Sequence, residues 1–242
     1  MALSLSKQQE KVKLSLKKVT KKEVRPVQVK LLADVSYSMK NHYKKDGYML
    51  PILQRSIALA SIIDPDKVVQ ITAFSSDAVN LGDFGVDNFD DIWNVFLTDN
   101  SDFWYGTDYS KGIKEVSNDL GPNGGKEEGG FLSKIFGSKK SSSNEQDVNL
   151  VIFITDGEDG GSESRFKSEV NKLLSGGNTY LMLIGSEGNI RHYDMLKRMA
   201  DEHDNIGFKY FESANNLTDD MFYDTILSGE FGRWLDERPL KS

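Results

Sequence analysis

The segment Lys30-Leu31-Leu32-Ala33-Asp34-Val35-Ser36-Tyr37-Ser38 runs apolar and then breaks into a carboxylate and two hydroxyls at alternate positions. Side chains at i, i+2 and i+4 of an extended segment share one face. That face would present one anionic oxygen, from Asp34, and two neutral ones, from Ser36 and Ser38. Oxygen-only sets of this kind suit hard divalent cations, which complete their shells with water. Three residues are too few to hold such an ion alone, so further oxygen donors are expected downstream. Gly106-Thr107-Asp108 offers a hydroxyl in a glycine-containing loop, and Val151-Ile152-Phe153-Ile154-Thr155-Asp156-Gly157 offers a second apolar strand closed by a carboxylate and a glycine turn.

Taken in order, Asp-x-Ser-x-Ser, a distant Thr and an Asp-Gly after a buried strand resemble the metal-ion-dependent adhesion site of von Willebrand factor A (VWA) domains. The resemblance implies a metal set of Asp34, Ser36, Ser38, Thr107 and Asp156. It implies that the hydroxyls touch the metal, that the carboxylates act directly or through water, and that one position stays open for a partner's acidic group. Most relatives carry glycine between the two serines, where this chain has Tyr37, a departure that alters the loop surface and removes no ligand. The N-terminal Leu3-Ser4-Leu5-Ser6-Lys7 and Lys11-Val12-Lys13-Leu14-Ser15-Leu16, the Val35-Ser36-Tyr37-Ser38-Met39 run and the Trp234-Leu235 ending resemble the TerF-type branch of tellurium-resistance proteins. That branch occurs in bacteria and in large phages. It implies a role in tellurite or general stress response, with other Ter-family proteins as partners. The chain itself has no cysteine and no redox centre, so nothing in it offers a route to tellurium chemistry.

The elements needed to position these residues are legible in the pattern. Val27 to Ala33, Lys67 to Phe74, Val148 to Ile154, Thr179 to Ile184 and Ile206 to Phe211 read as strands, with Ala78 to Leu81 as a short antiparallel edge. Helices are expected over Tyr48 to Ile63, Phe89 to Phe96, Asp108 to Leu120, Ser164 to Leu174, Ile190 to Glu202 and Leu217 to Leu235, the last with a break near Gly229. Strands alternating with helices predict an α/β fold, a three-layer α/β/α, Rossmann-like VWA domain with a mostly parallel central sheet. In such sheets ligands gather outside the carboxyl ends of the strands, where Asp34 and Asp156 stand.

Residues 1–25 form a basic leader, and residues 26–242 the domain, interrupted by a flexible insertion at about 121–147. The leader segment Ser4 to Val19 alternates enough for an edge strand or hairpin. The insertion is rich in Gly, Ser and Lys and holds one apolar island, Phe131 to Phe136, at helical spacing; it reads equally as a surface loop or a partner-binding element. Lys7, Lys11, Lys13, Lys17, Lys18, Lys21, Lys22, Arg25 and Lys30 face only Glu10 and Glu23, although the whole chain carries a net charge of -7. No aromatic residue interleaves these lysines, so base stacking has no platform and nucleic acid is not favoured. No run approaches the roughly 18–20 apolar residues of a membrane span. With a mean hydropathy of -0.47 and no cysteine, the chain reads as cytoplasmic.

The chemistry admits two functions. A hydroxyl-rich site leaves a bound cation electron-poor and suits capture of a protein partner's Asp or Glu; magnesium is the default ion, with calcium or manganese as substitutes. The alternative is a divalent-metal-dependent phosphoesterase or other hydrolase, which needs a metal-activated water and a general base. Of the three histidines, His42 borders the metal loop, whereas His192 and His203 read as surface positions. No nucleophile elbow, phosphate-binding loop or dinucleotide fingerprint is present. Binding rather than catalysis is therefore expected. Asp108, Glu158 and Asp159, and the Asp90-Asp91 and Asp219-Asp220 pairs, read as helix-start or turn acids.

Overall fold

The computed structural model describes residues 2–20, 26–44, 47–97, 103–120, 148–157 and 159–238. The predicted insertion and its apolar island lie outside the described residues. Six strands form one sheet: β1 Val27–Asp34, β2 Val69–Phe74, β3 Ala78–Phe84, β4 Val148–Thr155, β5 Thr179–Ser186 and β6 Ile206–Phe211. Their order is β3-β2-β1-β4-β5-β6. All neighbours are parallel except β3, which runs antiparallel to β2 along one edge, as expected. The chain leaves β1 for β2 on one side and returns to β4 on the other, so a crevice opens between the carboxyl ends of β1 and β4.

The helices are α1 Ala2–Val19, α2 Met49–Ile63, α3 Phe89–Leu97, α4 Tyr109–Leu120, α5 Glu163–Leu174, α6 Asp194–Glu202, α7 Asp219–Ile226 and α8 Gly229–Asp236. They cover both faces of the sheet. Every residue of β1, β4 and β5 is buried, as a central parallel sheet demands. The period of two then divides them. Val29, Leu31, Ala33, Leu150, Ile152 and Ile154 enter one core with α1, α2, α3, α7 and α8. Leu32, Val151, Phe153, Leu181 and Leu183 enter a second with α4, α5 and α6. Each fully buried large side chain contributes about 1.5–3 kcal/mol of transfer free energy, so both faces are strongly held.

Local chemistry sets several boundaries. Helix α2 stops at Asp64, whose carboxylate accepts from Val29 N and from Asp66 N, both at 2.8 Å, tying the helix end to β1. Burial pushes the Asp64 carboxyl up to about 6, against those two hydrogen bonds. Strand β3 is longer than expected and bulges against Ile71 and Thr72. Gly82 sits in the bulge at φ 101°, a backbone that side chains rarely adopt, and its N–H donates to Asn80 Oδ1.

Two expectations are corrected. The leader is not an edge strand or hairpin: it is helix α1. Val12 and Leu16 are buried four residues apart, while Leu14, which strand alternation would place beside them, is 58% exposed. The period is 3.6, and the buried face packs on α2, α7 and α8. Lys11 pairs with Asp219 and Asp220, and Lys18 with Asp224, which also accepts from Ser15 Oγ at 2.7 Å. The helix expected over Ile190 to Glu202 is split: Asn189 Oδ1 accepts from Arg191 N and caps a separate 3-10 turn, Ile190–Tyr193, before α6. The last helix breaks near Gly229 as expected, giving α7 and α8, with Ser228 Oγ accepting from Phe231 N to start the second.

Candidate functional site

Asp34 ends β1 at the crevice and is fully buried. Its Oδ1 accepts from Ser36 N at 2.7 Å and its Oδ2 from Thr155 Oγ1 at 2.5 Å. The first bond folds the chain back, so that Ser36 Oγ lies 3.1 Å from Ser38 Oγ. Ser38 is exposed, and its hydroxyl donates to Asp156 Oδ1 at 2.9 Å. Four of the five predicted residues are thus joined in one hydrogen-bonded run, from the buried floor at Asp34 to the surface at Ser38. The fifth, Thr107, is half-buried and attaches through its backbone: its carbonyl accepts from Gly160 N at 2.8 Å, on the loop that carries Asp156. The neighbouring Asp108 N donates to Ser75 O at the end of β2. Loops after β1, β2 and β4 are thereby stitched together.

A shell of tyrosines supports the floor. Tyr43 Oη donates to Asp34 O at 2.9 Å. Tyr109 Oη lies 3.2 Å from Thr155 Oγ1 and also donates to Gly157 O. Tyr48 Oη and Ser186 Oγ are 2.7 Å apart, and Ser186 Oγ donates to Thr155 O at 3.1 Å. Burial raises the Asp34 carboxyl to about 7; the bonds from Thr155 and Ser36 oppose that rise, and the Asp156 charge adds to it. Among the described residues, the basic group within ion-pair reach of these two carboxylates is His42, whose Nε2 lies 3.6 Å from Asp156 Oδ2 and 3.5 Å from Glu187 Oε2. No lysine or arginine of the described residues pairs with either. A buried carboxylate beside a second one, roofed by hydroxyls, is a donor set suited to a small hard cation. Among the described residues no group of three or more His, Cys, Asp or Glu forms a metal cage, so any cation site here is built largely on hydroxyls.

The acids expected to be structural behave so. Asp108 Oδ1 accepts from Ser110 N and Oγ at the start of α4. Asp159 Oδ1 accepts from Tyr109 N and Gly161 N, and burial raises its carboxyl. Asp90 and Asp91 open α3, and Asp219 and Asp220 open α7. Glu158 lies outside the described residues. His192 is exposed, and His203 half-buried, both away from the run. Sequence reasoning missed Thr155 and the tyrosine shell. Thr155 had a signal, a hydroxyl closing an otherwise apolar strand; the tyrosines come from distant segments and had none.

Comparisons with known proteins agree with this fold. Proximal thread matrix protein 1 from the mussel byssus superposes with a TM-score of 0.56 at 15% identity, over 85% of this chain and 47% of that one. Another form of it, described with a zinc-occupied MIDAS motif, gives 0.56 at 16% identity, over 86% and 49%. The ArnB paralogue VWA2 from Sulfolobus acidocaldarius gives 0.50 at 18% identity, over 85% and 45%. The chain thus spans about half the length of these structures, and at such identities the likeness is one of fold. No curated protein matches it by sequence. The model of the vWA-TerF-like family, the VWA domain found at the TerF C terminus, matches residues 26–241. With the sheet order, the crevice and the match in agreement, the chain belongs to the TerF-like VWA family.

Proposed function

We propose that this chain is a metal-dependent protein-binding module in which Asp34, Ser36, Ser38, Thr107 and Asp156 hold one divalent cation. The observation that carries the reading is the run from Asp34 through Ser36 and Ser38 to Asp156, with a buried carboxylate that no lysine or arginine of the described residues offsets. When bound, the cation would supply a Lewis-acidic position for an incoming carboxylate. Ser38, at the surface end, orients that position toward solvent, while Thr155 and the tyrosine shell hold Asp34 fixed. Magnesium is the expected ion, with calcium or manganese as alternatives; zinc in the MIDAS motif of the mussel protein supports a divalent cation in this kind of site. The partner contributes an Asp or Glu side chain. The family's name supports a place in a tellurite or stress-response system with other Ter proteins as partners, in the cytoplasm. VWA domains serve as protein-interaction modules, and we read this one as a binder rather than a catalyst. Residues 1–25 are read as a leader appended to a domain of residues 26–242. No helix among the described residues is long and apolar enough to cross a membrane.

Calorimetric titration of magnesium, calcium and manganese tests the site. Wild type should bind one ion, Asp34→Ala none, and Thr107→Ala should bind more weakly while remaining folded. Binding unchanged in Asp34→Ala would refute the assignment. Metal-dependent turnover of phosphate monoesters in the same samples would favour a hydrolase.

A further inference from the structure

The metal loop carries a second, unexplained feature. Tyr37, between Ser36 and Ser38, is 74% exposed, and Tyr105 is 56% exposed. The large hydrophobic side chains exposed among the described residues also include Ile190, which follows β5 at the same end of the sheet. Exposed single apolar residues are ordinary; two tyrosines on backbone-linked loops beside one crevice are not.

The two tyrosines are held together by the backbone. Tyr37 N donates to Tyr105 O, and Trp104 N donates to Val35 O, both at 2.8 Å, so the 103–105 loop is bolted to the metal loop at two points. Trp104 takes a left-handed backbone, φ 68°, which a bulky residue adopts only under constraint. Its ring meets Tyr43 edge-on at 5.6 Å, and Tyr43 in turn holds Asp34 O. The loop that presents Tyr105 is therefore fixed by the same side chains that fix the site floor. Such pre-organisation lowers the ordering cost of binding.

Charge separates the two sides of the crevice. Lys40 is exposed on the Tyr37 side, its Nζ 5.7 Å from the Trp104 ring centre. Asp156 and Glu187 lie on the other side, with His42 between them. Lys40 favours an acidic segment on the tyrosine side.

Resting on the metal-site reading above, we propose that Tyr37 and Tyr105 form an aromatic rim that selects partner segments whose metal-seeking Asp or Glu has an aromatic neighbour. Phenol rings supply large contact area with two rotatable bonds and a polar tip, which suits them to stack on a partner ring at a wet interface. Tyr37 is then a specificity residue.

The test uses the full chain and a displayed library of heptapeptides with Asp or Glu fixed at the centre, selected in magnesium and in chelator. Peptides recovered in magnesium should be enriched in Phe, Tyr or Trp next to the fixed acid. Tyr37→Ala and Tyr105→Ala should each weaken the best peptide about tenfold or more, while calorimetric magnesium affinity stays at the wild-type value. Tyr37→Phe should retain binding, and the peptide should protect both phenols from iodination. Acidic peptides with no aromatic preference, or full affinity in both tyrosine variants, would overturn the rim while leaving the metal site standing. Recovery of no magnesium-dependent acidic peptide would overturn both.

Discussion

Replacing Asp34 by asparagine should stabilise the metal-free protein at about pH 8 while abolishing cation binding. Asparagine is nearly isosteric and can keep both contacts, its oxygen accepting from Ser36 N and its amide donating to Thr155 Oγ1, which now stand at 2.7 and 2.5 Å. What disappears is a charge in a site with no exposure to water. Burial raises this carboxyl from 3.8 to about 7, and at about 1.4 kcal/mol per pH unit that sets a ceiling near 4 kcal/mol on the cost of ionising it in the fold. The folded carboxyl holds its proton more tightly than the unfolded one. Its contribution is therefore fully present below pH 3.8 and is lost as pH rises through about 7. Thermal melts in chelator at about pH 5 and pH 8 read this directly. The Tm difference between variant and wild type should be the smaller at the lower pH, where ionisation of the unfolded carboxyl has introduced under half of the cost. It should reach roughly 5–10 °C in favour of the variant at the higher pH, from about 2–4 kcal/mol in a chain of this size. Taking the difference removes Asp64, which titrates at about 6 in both proteins. Magnesium should then raise the Tm of wild type alone. A variant less stable than wild type at pH 8 in chelator would refute the claim that Asp34 is an uncompensated buried charge.

Two glycines report on how the site is supported. A Cβ at Gly112 in α4 would meet Leu32 Cδ2 at 2.8 Å and the Phe74 ring at 3.0 Å. The overpacking cost of about 1–3 kcal/mol is partly offset by about 1 kcal/mol of helix propensity. Gly112→Ala should therefore lose about 1 kcal/mol or slightly more in urea titrations and weaken cation binding, because α4 begins two residues after Thr107; unchanged stability would show that the helix shifts without strain. A Cβ at Gly232 in α8 would collide with Val19 O at the end of α1. Gly232→Ala should leave cation binding intact and speed tryptic cleavage at Lys11 to Lys18; an unchanged cleavage rate would mean that α1 is held by its ion pairs and Val12 and Leu16 alone.

The parts of the fold that were legible in the sequence are those with one dominant period. The buried strands of β1, β4 and β5 read as apolar runs because both faces are covered, and their polar terminations at Asp34 and Asp156 marked the crevice. The leader misled because Leu3, Leu5, Val12, Leu14 and Leu16 satisfy a period of two in short stretches. Only the face formed by α2, α7 and α8, built from residues far along the chain, decides that Leu14 turns outward. Ile190 joined the wrong helix because Asn189 can cap a short turn as readily as a long one. Of the candidate site, the hydrogen-bonded run of Asp34, Ser36, Ser38 and Asp156 was legible by spacing. Thr155 and Tyr43, Tyr48 and Tyr109 were not, since their roles depend on tertiary hydrogen bonds that no local pattern encodes.

The two halves of the crevice are rooted in opposite layers. From Ser36 and Ser38 the chain runs into α2, packed in the core on one face of the sheet, whereas Thr107 and Asp156 lead into α4 and α5 on the other. Whatever draws Ser38 toward Asp156 therefore pinches one helical layer against the other across the sheet, in the manner of a clasp. A load applied at that clasp would enter β1 and β4, whose parallel pairing runs unbroken from Val27 opposite Val148 to Ala33 opposite Ile154. Because the two strands are parallel and the clasp closes at their carboxyl ends, such a load enters both from the same end and is carried by the pair together.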